Sequence, residues 1–353
     1  MPNDTTFSEI PIVDISGLAV PGEHRSVLSE KVRAALHEVG FLIVTGHGVE
    51  DELVDAVFGA AREFFDLPVE QKRLIDKRNS RHFRGWEPEG TEFTNNQPDI
   101  REQIDLWSEH APLAADVSPV YLRLLGPNQW PPSILLPGFE TTLNRWFSEL
   151  GILADQLMAL LALGLRLPQD HFEHIFGSQR VSFTKLIRYP ATPPGNFGVN
   201  AHHDAGFLTI LAPGITPGLE VENAQGEWIP VPLIPGSFVI NIGEMLQSIT
   251  GNYYVATPHR VATQQERFSV GYFHGPSLDT KLTPITLDPM FAKSVAESPR
   301  HAGAGFMTQS AETQAGVAAM SSPHHPDVYG QQVWNYLRRS YPENMKRHYP
   351  DPL

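Results

Sequence analysis

From Val181 to Phe273 the chain breaks into short β-rich runs: SFTKLIRYP, GFLTILAPG, GLEVEN, EWIPVPL, SFVINIG, YVATPHRV and RFSVGYF, separated by Pro, Gly and Asn. Runs of this kind at roughly 8–12-residue spacing predict an all-β core built as a sandwich or barrel.

The rest of the chain supplies flanking elements. EIPIVDI (Glu9 to Ile15) and GFLIVTGHGV (Gly40 to Val49) read as strands, and Ser26 to Glu38 places Val27, Leu28, Val32, Ala35 and Leu36 at helical spacing. A helix is expected over Glu52 to Phe65, with another starting near Pro68 and Glu70. Asn79 to Gln97 reads as a long loop, and Leu136 to Leu167 as a buried helix or helix pair. Residues 287–326, rich in Ala, Gly, Ser, Pro and His, read as irregular, and GQQVWNYLRRSYP as a last helix. The expected organisation is one compact unit: 1–110 mixed α/β, 111–180 helical support, 181–285 the β core with the site, and 286–353 an irregular segment and a helix packed on the core.

Composition narrows the chemistry. Among 353 residues, 40 Asp and Glu against 26 Lys and Arg leave a net charge of −14, which argues against nucleic acid or an anionic membrane as the main partner. Without cysteine, any metal must sit on His, Asp or Glu, which suits iron, zinc or manganese. The first residues show no secretion signal and no run of about 18 apolar residues occurs, so a soluble, cytoplasmic protein is expected, monomeric or weakly oligomeric.

NAHHDAGFLTIL (Asn200 to Leu211) carries the chemistry. Side chains alternate along a strand, so His202 and Asp204 point one way and His203 the other. His259, in a later run, offers a third ligand. Two imidazoles and a carboxylate on one face leave three positions open on an octahedral ion, as in non-haem Fe(II) oxygenases. Arg267 and Ser269 follow eight and ten residues after His259, again one strand period apart. An arginine inside a β core needs an anionic partner, and a guanidinium beside a hydroxyl fits the far carboxylate of a dicarboxylate.

In this order the motifs resemble the isopenicillin N synthase-like family of Fe(II)- and 2-oxoglutarate-dependent dioxygenases, most of all its bacterial members of the ethylene-forming enzyme type. IPIVDIS, EVGFLIVTGHGV, FFDLPVEQK, RGWEPEGTE, PDIREQIDL, LIRYP, HHDAGFLTIL, GLEVENAQGEWIPVP, FVINIGEMLQSITGNYYVATPHRV and ERFSVGYF together carry the likeness over most of the chain. It implies a double-stranded β-helix (jelly-roll, cupin-like) core with flanking helices. It also implies His202, Asp204 and His259 as iron ligands, Arg267 and Ser269 as anchors for the distal carboxylate of 2-oxoglutarate, and Tyr189 as a further cosubstrate contact. Arg188 and Glu244 depart from common family residues; Glu244 is expected to be structural.

The implied reaction oxidises a small-molecule metabolite by hydroxylation, desaturation or cyclisation, with O2 consumed, succinate and CO2 released, and ascorbate supporting turnover. Residues expected at the substrate are Arg84, Trp86 and Glu92 in the long loop, Lys185 and Arg188, and Phe273 with His274. By alternation at most one of Lys185 and Arg188 is expected to face the cavity unless a bulge intervenes. Phe83 and Trp86 fit packing roles as well, and His171 and His174 read as surface residues. Competing functions are a 2-oxoglutarate-independent oxidase, an ethylene-forming activity, and a non-catalytic jelly-roll binding protein.

Overall fold

Strand alternation writes the architecture. In the computed structural model, which describes residues 6–18, 22–94, 97–177, 179–302 and 328–350, an eight-stranded sheet faces a four-stranded one. The large sheet runs Ile12–Asp14, Phe41–Thr45, Phe238–Ile242, Leu208–Ala212, Arg267–His274, Phe183–Tyr189, Glu102–Trp107 and Gly85–Glu87 in spatial order. The small sheet runs Trp228–Pro230, Leu219–Glu222, His259–Val261 and Val199–His202. All pairings are antiparallel except that of the first two strands.

The central strands of the large sheet divide their apolar side chains between two cores. Phe41, Ile43, Val239, Ile187 and Tyr189 pack with Val199, Val221 and Val261 of the small sheet, closing the space between the sheets. Leu42, Val44, Ile240, Ile242, Leu186 and Val270 point the other way, into the core under the helices. There lies the helix Phe139–Gly164, long and apolar enough by composition to cross a membrane; here it buries Leu143, Trp146, Leu150 and Leu157 and packs against the helices Glu23–Glu38 and Asp51–Phe65. The double-stranded β-helix expectation therefore holds.

Several boundaries differ from the sequence reading. Four of the eight large-sheet strands come from residues before 111, because Phe41–Thr45 and Glu102–Trp107 find their partners in Phe238–Ile242 and Phe183–Tyr189. The stretch 79–97 is not all loop, since Gly85–Glu87 extends that sheet. Residues 289–297 and 299–302 are helical where an irregular segment is expected, the first capped by Asp288 and opened by Pro289. The remainder of that expected segment, 303–327, lies outside the described residues.

Candidate active site

His202 ends its strand and His259 begins the neighbouring one, so the register sets them opposite each other with ring centroids 4.2 Å apart. Asp204 lies two residues past His202, just beyond the strand end rather than on it. Its backbone carbonyl accepts from the Glu244 N–H at 2.8 Å, which fixes the turn. One ligand atom from each residue falls within 4.8 Å of the other two.

The bonds around these side chains decide which atoms remain for a metal. His202 Nδ1 lies 2.8 Å from the Asn200 carbonyl and His259 Nδ1 lies 3.1 Å from that of Thr257, so both rings donate from Nδ1 and leave Nε2 as a lone pair. Asp204 Oδ2 accepts from Thr209 Oγ1 at 2.6 Å and Asn241 Nδ2 at 2.7 Å, while Oδ1 stands 3.8 Å from each Nε2. Burial pushes the His202 imidazole down to about 3 and lowers His259 as well, which keeps both rings neutral. Burial alone would raise the Asp204 carboxyl, yet His259, His202 and the two hydrogen bonds hold it below its ordinary value. Two neutral imidazoles and one carboxylate, each oriented through its other atom, form a donor set that fits a divalent metal. His203 also borders the cavity but is not part of the His-Asp-His group, and its Nδ1 lies 3.2 Å from Glu244 Oε1.

Across the cavity, Arg267 and Ser269 project from the large sheet, both 1 % exposed. Arg267 Nε and Nη1 and Ser269 Oγ have no hydrogen-bond partner among the described residues, and the guanidinium carbon sits 5.1 Å from the Tyr189 ring centroid. Burial lowers the Arg267 pKa, opposed by Tyr189. A buried guanidinium with idle donors beside an idle hydroxyl is built for an anion. All three residues line one cavity of about 260 Å³ with the His-Asp-His group.

The residues expected at the substrate divide. Glu92, Lys185 and Phe273 line the cavity. Phe273 stacks on Phe183 at 4.4 Å and 8°, and Phe183 stacks on Trp107 at 5.3 Å. His274 borders the cavity, but its ring stacks on Phe176 at 4.0 Å with Nε2 3.3 Å from Asp155. Arg188 does not face it: three residues from Lys185, it turns outward to Glu266 at 2.6 Å and Glu102 at 3.4 Å. Arg84 and Trp86 are also outside. Arg84 lies fully buried behind the wall with its guanidinium over the Trp107 ring, and Trp86 Nε1 donates to Glu102 at 2.9 Å. Their loop is too tightly packed to present them.

Sequence reasoning missed Arg101, Asp105, Trp107 and Tyr336, which line the cavity beside Lys185. Glu92 accepts from Arg101 at 2.5 Å and Lys185 at 3.2 Å, and Lys185 lies 3.8 Å from Asp105. Burial alone would raise the Glu92 carboxyl, but Arg101, Lys185 and Lys77 hold it well below the carboxylate range. The period-2 spacing in IDLW, Ile104 to Trp107, marks Asp105 and Trp107 as one face. In the helix Tyr329–Ser340, Tyr329, Val333 and Tyr336 recur at helical spacing and reach the same cavity.

Residues 177–276, which include His202, Asp204, His259, Arg267 and Ser269, match the model of the 2OG-Fe(II) oxygenase superfamily, and residues 10–133 match that of the non-haem dioxygenase in morphine synthesis N-terminal region. The chain belongs to the 2OG-Fe(II) oxygenase superfamily. It is 32% identical to a 2-oxoglutarate-dependent dioxygenase of Gibberella zeae, over 98% of this chain and 93% of that one. It is 33% identical to a homoarginine-6-hydroxylase of Glycine max, over 80% and 89%. The crystal structure of the rice dioxygenase for auxin oxidation superposes with a TM-score of 0.61 at 29% identity, covering 78% of this chain and 86% of that one. The protein is an Fe(II)- and 2-oxoglutarate-dependent dioxygenase that oxidises a small-molecule metabolite.

Proposed function

We propose that His202, Asp204 and His259 hold the iron through Nε2, Oδ1 and Nε2, that Arg267 and Ser269 bind the distal carboxylate of 2-oxoglutarate, and that Tyr189 shapes the cosubstrate's seat. The observation that carries this reading is the pairing, within one cavity, of three oriented free ligand atoms with three idle donor atoms on the opposite sheet. Iron held there would let O2 act as the oxidant, with 2-oxoglutarate supplying two of the four electrons and leaving as succinate and CO2. The chain's own residues do the rest. Thr209 and Asn241 aim the Asp204 carboxylate, and the Nδ1 bonds to Asn200 and Thr257 hold both rings in the ligating tautomer. The aromatic stack of Trp107, Phe183 and Phe273 keeps that side of the cavity dry.

The cavity's charges favour an uncharged, flat and largely apolar substrate. Arg101 and Lys185 already face Glu92 and Asp105, so an ionic group there would compete with charge partners in place, while Arg101 Nε and Asp105 Oδ1 keep hydrogen-bonding capacity. Kinship with the isopenicillin N synthase-like enzymes, and with the ethylene-forming type in particular, rests on the motifs from IPIVDIS to ERFSVGYF. The relatives named above are a fungal and a plant protein, which lends no support to a bacterial source. A cytoplasmic location, a monomeric or weakly associating state and independence from nucleic acid and membranes complete the proposal, with the charge of −14 in its favour.

Anaerobic addition of Fe(II) and 2-oxoglutarate is expected to produce charge-transfer absorbance that Arg267→Ala weakens. Aerobic turnover against a metabolite extract is expected to give one succinate per substrate oxidised, with mass shifts of plus oxygen or minus two hydrogens. Turnover with no succinate would replace this reading with a 2-oxoglutarate-independent oxidase.

A further inference from the structure

The short helix Pro299–Ala302 sits far in sequence from the site, yet it closes the end of the first helix and reaches the loop that delivers His259. A helix leaves its last carbonyls without intrahelical donors, and cations are favoured there. The helix Glu23–Glu38 is followed by Val39 and then Gly40 at φ +77°, so its last carbonyls are not closed by a following turn of helix. Arg300 supplies donors instead: Nη1 to the Glu38 carbonyl, and Nη2 to the Val39 carbonyl at 3.1 Å. His301 adds a third, its Nε2 lying 2.8 Å from the His37 carbonyl.

The same Nη2 donates to Thr257 Oγ1 at 2.8 Å. Thr257, 2 % exposed, in turn donates from Oγ1 to the Val39 carbonyl at 2.6 Å, and its own carbonyl accepts from His259 Nδ1. Arg300, Val39 and Thr257 thus form a closed triangle of hydrogen bonds, and one corner of it orients His259. The space leaves no slack, because a Cβ on Gly40 would run into the Val255 carbonyl and Thr257 Oγ1. No carboxylate within ion-pair distance of Arg300 is found among the described residues. The guanidinium is thus bound to the helix end and to Thr257 instead of serving a surface ion pair.

We propose that Arg300 is a positioning residue for the iron site, acting through Thr257 to fix the tautomer and direction of His259. The proposal rests on the reading of His259 as a metal ligand. Groups that orient a metal-ligating histidine contribute on the order of 10- to 100-fold in metal affinity or activity.

The test measures Fe(II) dissociation constants anaerobically, together with the charge-transfer absorbance of the Fe(II) and 2-oxoglutarate complex and the melting temperature of the metal-free protein. Five proteins are compared: wild type, Arg300→Ala, Arg300→Lys, Thr257→Val and the Arg300→Ala/Thr257→Val double variant. Arg300→Ala is expected to weaken Fe(II) binding about tenfold and shift the absorbance. Thr257→Val should do nearly the same while leaving the helix end capped, and the double variant should lose little more than either single one. Arg300→Lys should restore part of the affinity, since one ammonium cannot serve all three acceptors. Unchanged Fe(II) affinity in Thr257→Val overturns the proposal, whether or not Arg300→Ala folds. So does additive loss in the double variant, or a lower melting temperature in Arg300→Ala with affinity intact. Failure of the wild type to bind Fe(II) would instead overturn the iron-site reading itself.

Discussion

The two ends of the cavity are built on opposite electrostatic plans. At the iron end, the polar atoms that matter are idle: two Nε2 lone pairs, Asp204 Oδ1, two Arg267 nitrogens and the Ser269 hydroxyl. At the other end each charge has an opposite charge beside it, Arg101 and Lys185 against Glu92 and Asp105, even though Arg101 Nε and Asp105 Oδ1 remain without a hydrogen bond among the described residues. Idle charged groups inside a protein are costly, so they persist where a ligand completes them. Paired ones are a wall. The first end selects by charge and coordination, the second by shape.

The largest expected effect that would break this contrast is at the triad. His202→Ala should abolish Fe(II) binding and turnover, while the adjacent His203→Ala retains both; equal loss from the two would mean that the rings are misassigned. Next, Arg267→Ala should weaken 2-oxoglutarate binding roughly 10- to 100-fold, the worth of hydrogen bonds to a charged group, with Fe(II) affinity unchanged in equilibrium dialysis. Asn241→Ala removes one of two donors aiming Asp204 and should weaken Fe(II) binding by roughly tenfold. Smallest at the site is Lys185→Met: little change in either affinity, but a loss of about 3 kcal/mol in denaturant unfolding, because Glu92 and Asp105 lose a shared partner in a buried network. A large rise in the 2-oxoglutarate dissociation constant there would show that the two ends are not separate.

Much of the iron end is legible in the chain because its signals are local. His202 and Asp204 are two apart, as are Arg267 and Ser269, and β alternation ranks them before any partner is known. Even so, Asp204 turns out to lie past the strand end, so the right side was reached by a spacing that outlasts the strand itself. The far end is less legible because it is made by register. Asp105 opposes Lys185 only once Glu102–Trp107 has paired with Phe183–Tyr189, and no local pattern announces that pairing. Arg84 and Trp86 mislead for the converse reason: a polar, aromatic loop suggests ligand contact, but its side chains are used to pack beneath Trp107 and onto Glu102. The fold shows the same division. The later strands can be read from their punctuation, whereas the recruitment of Ile12–Asp14 and Phe41–Thr45 into their sheet is a long-range event.

That recruitment bears on how the molecule is made. Phe41–Thr45 leaves the ribosome with Ile12–Asp14 as its neighbour on one side and nothing on the other, until Phe238–Ile242 has been synthesised. During that interval it presents an open, apolar edge of the kind that seeks other chains. Glu102–Trp107 waits likewise for Phe183–Tyr189. Iron cannot be fully held at this stage, since His259, the third ligand, emerges later still. Yield in a cell should therefore depend on chaperones that shelter the first hundred residues, more than on the supply of metal.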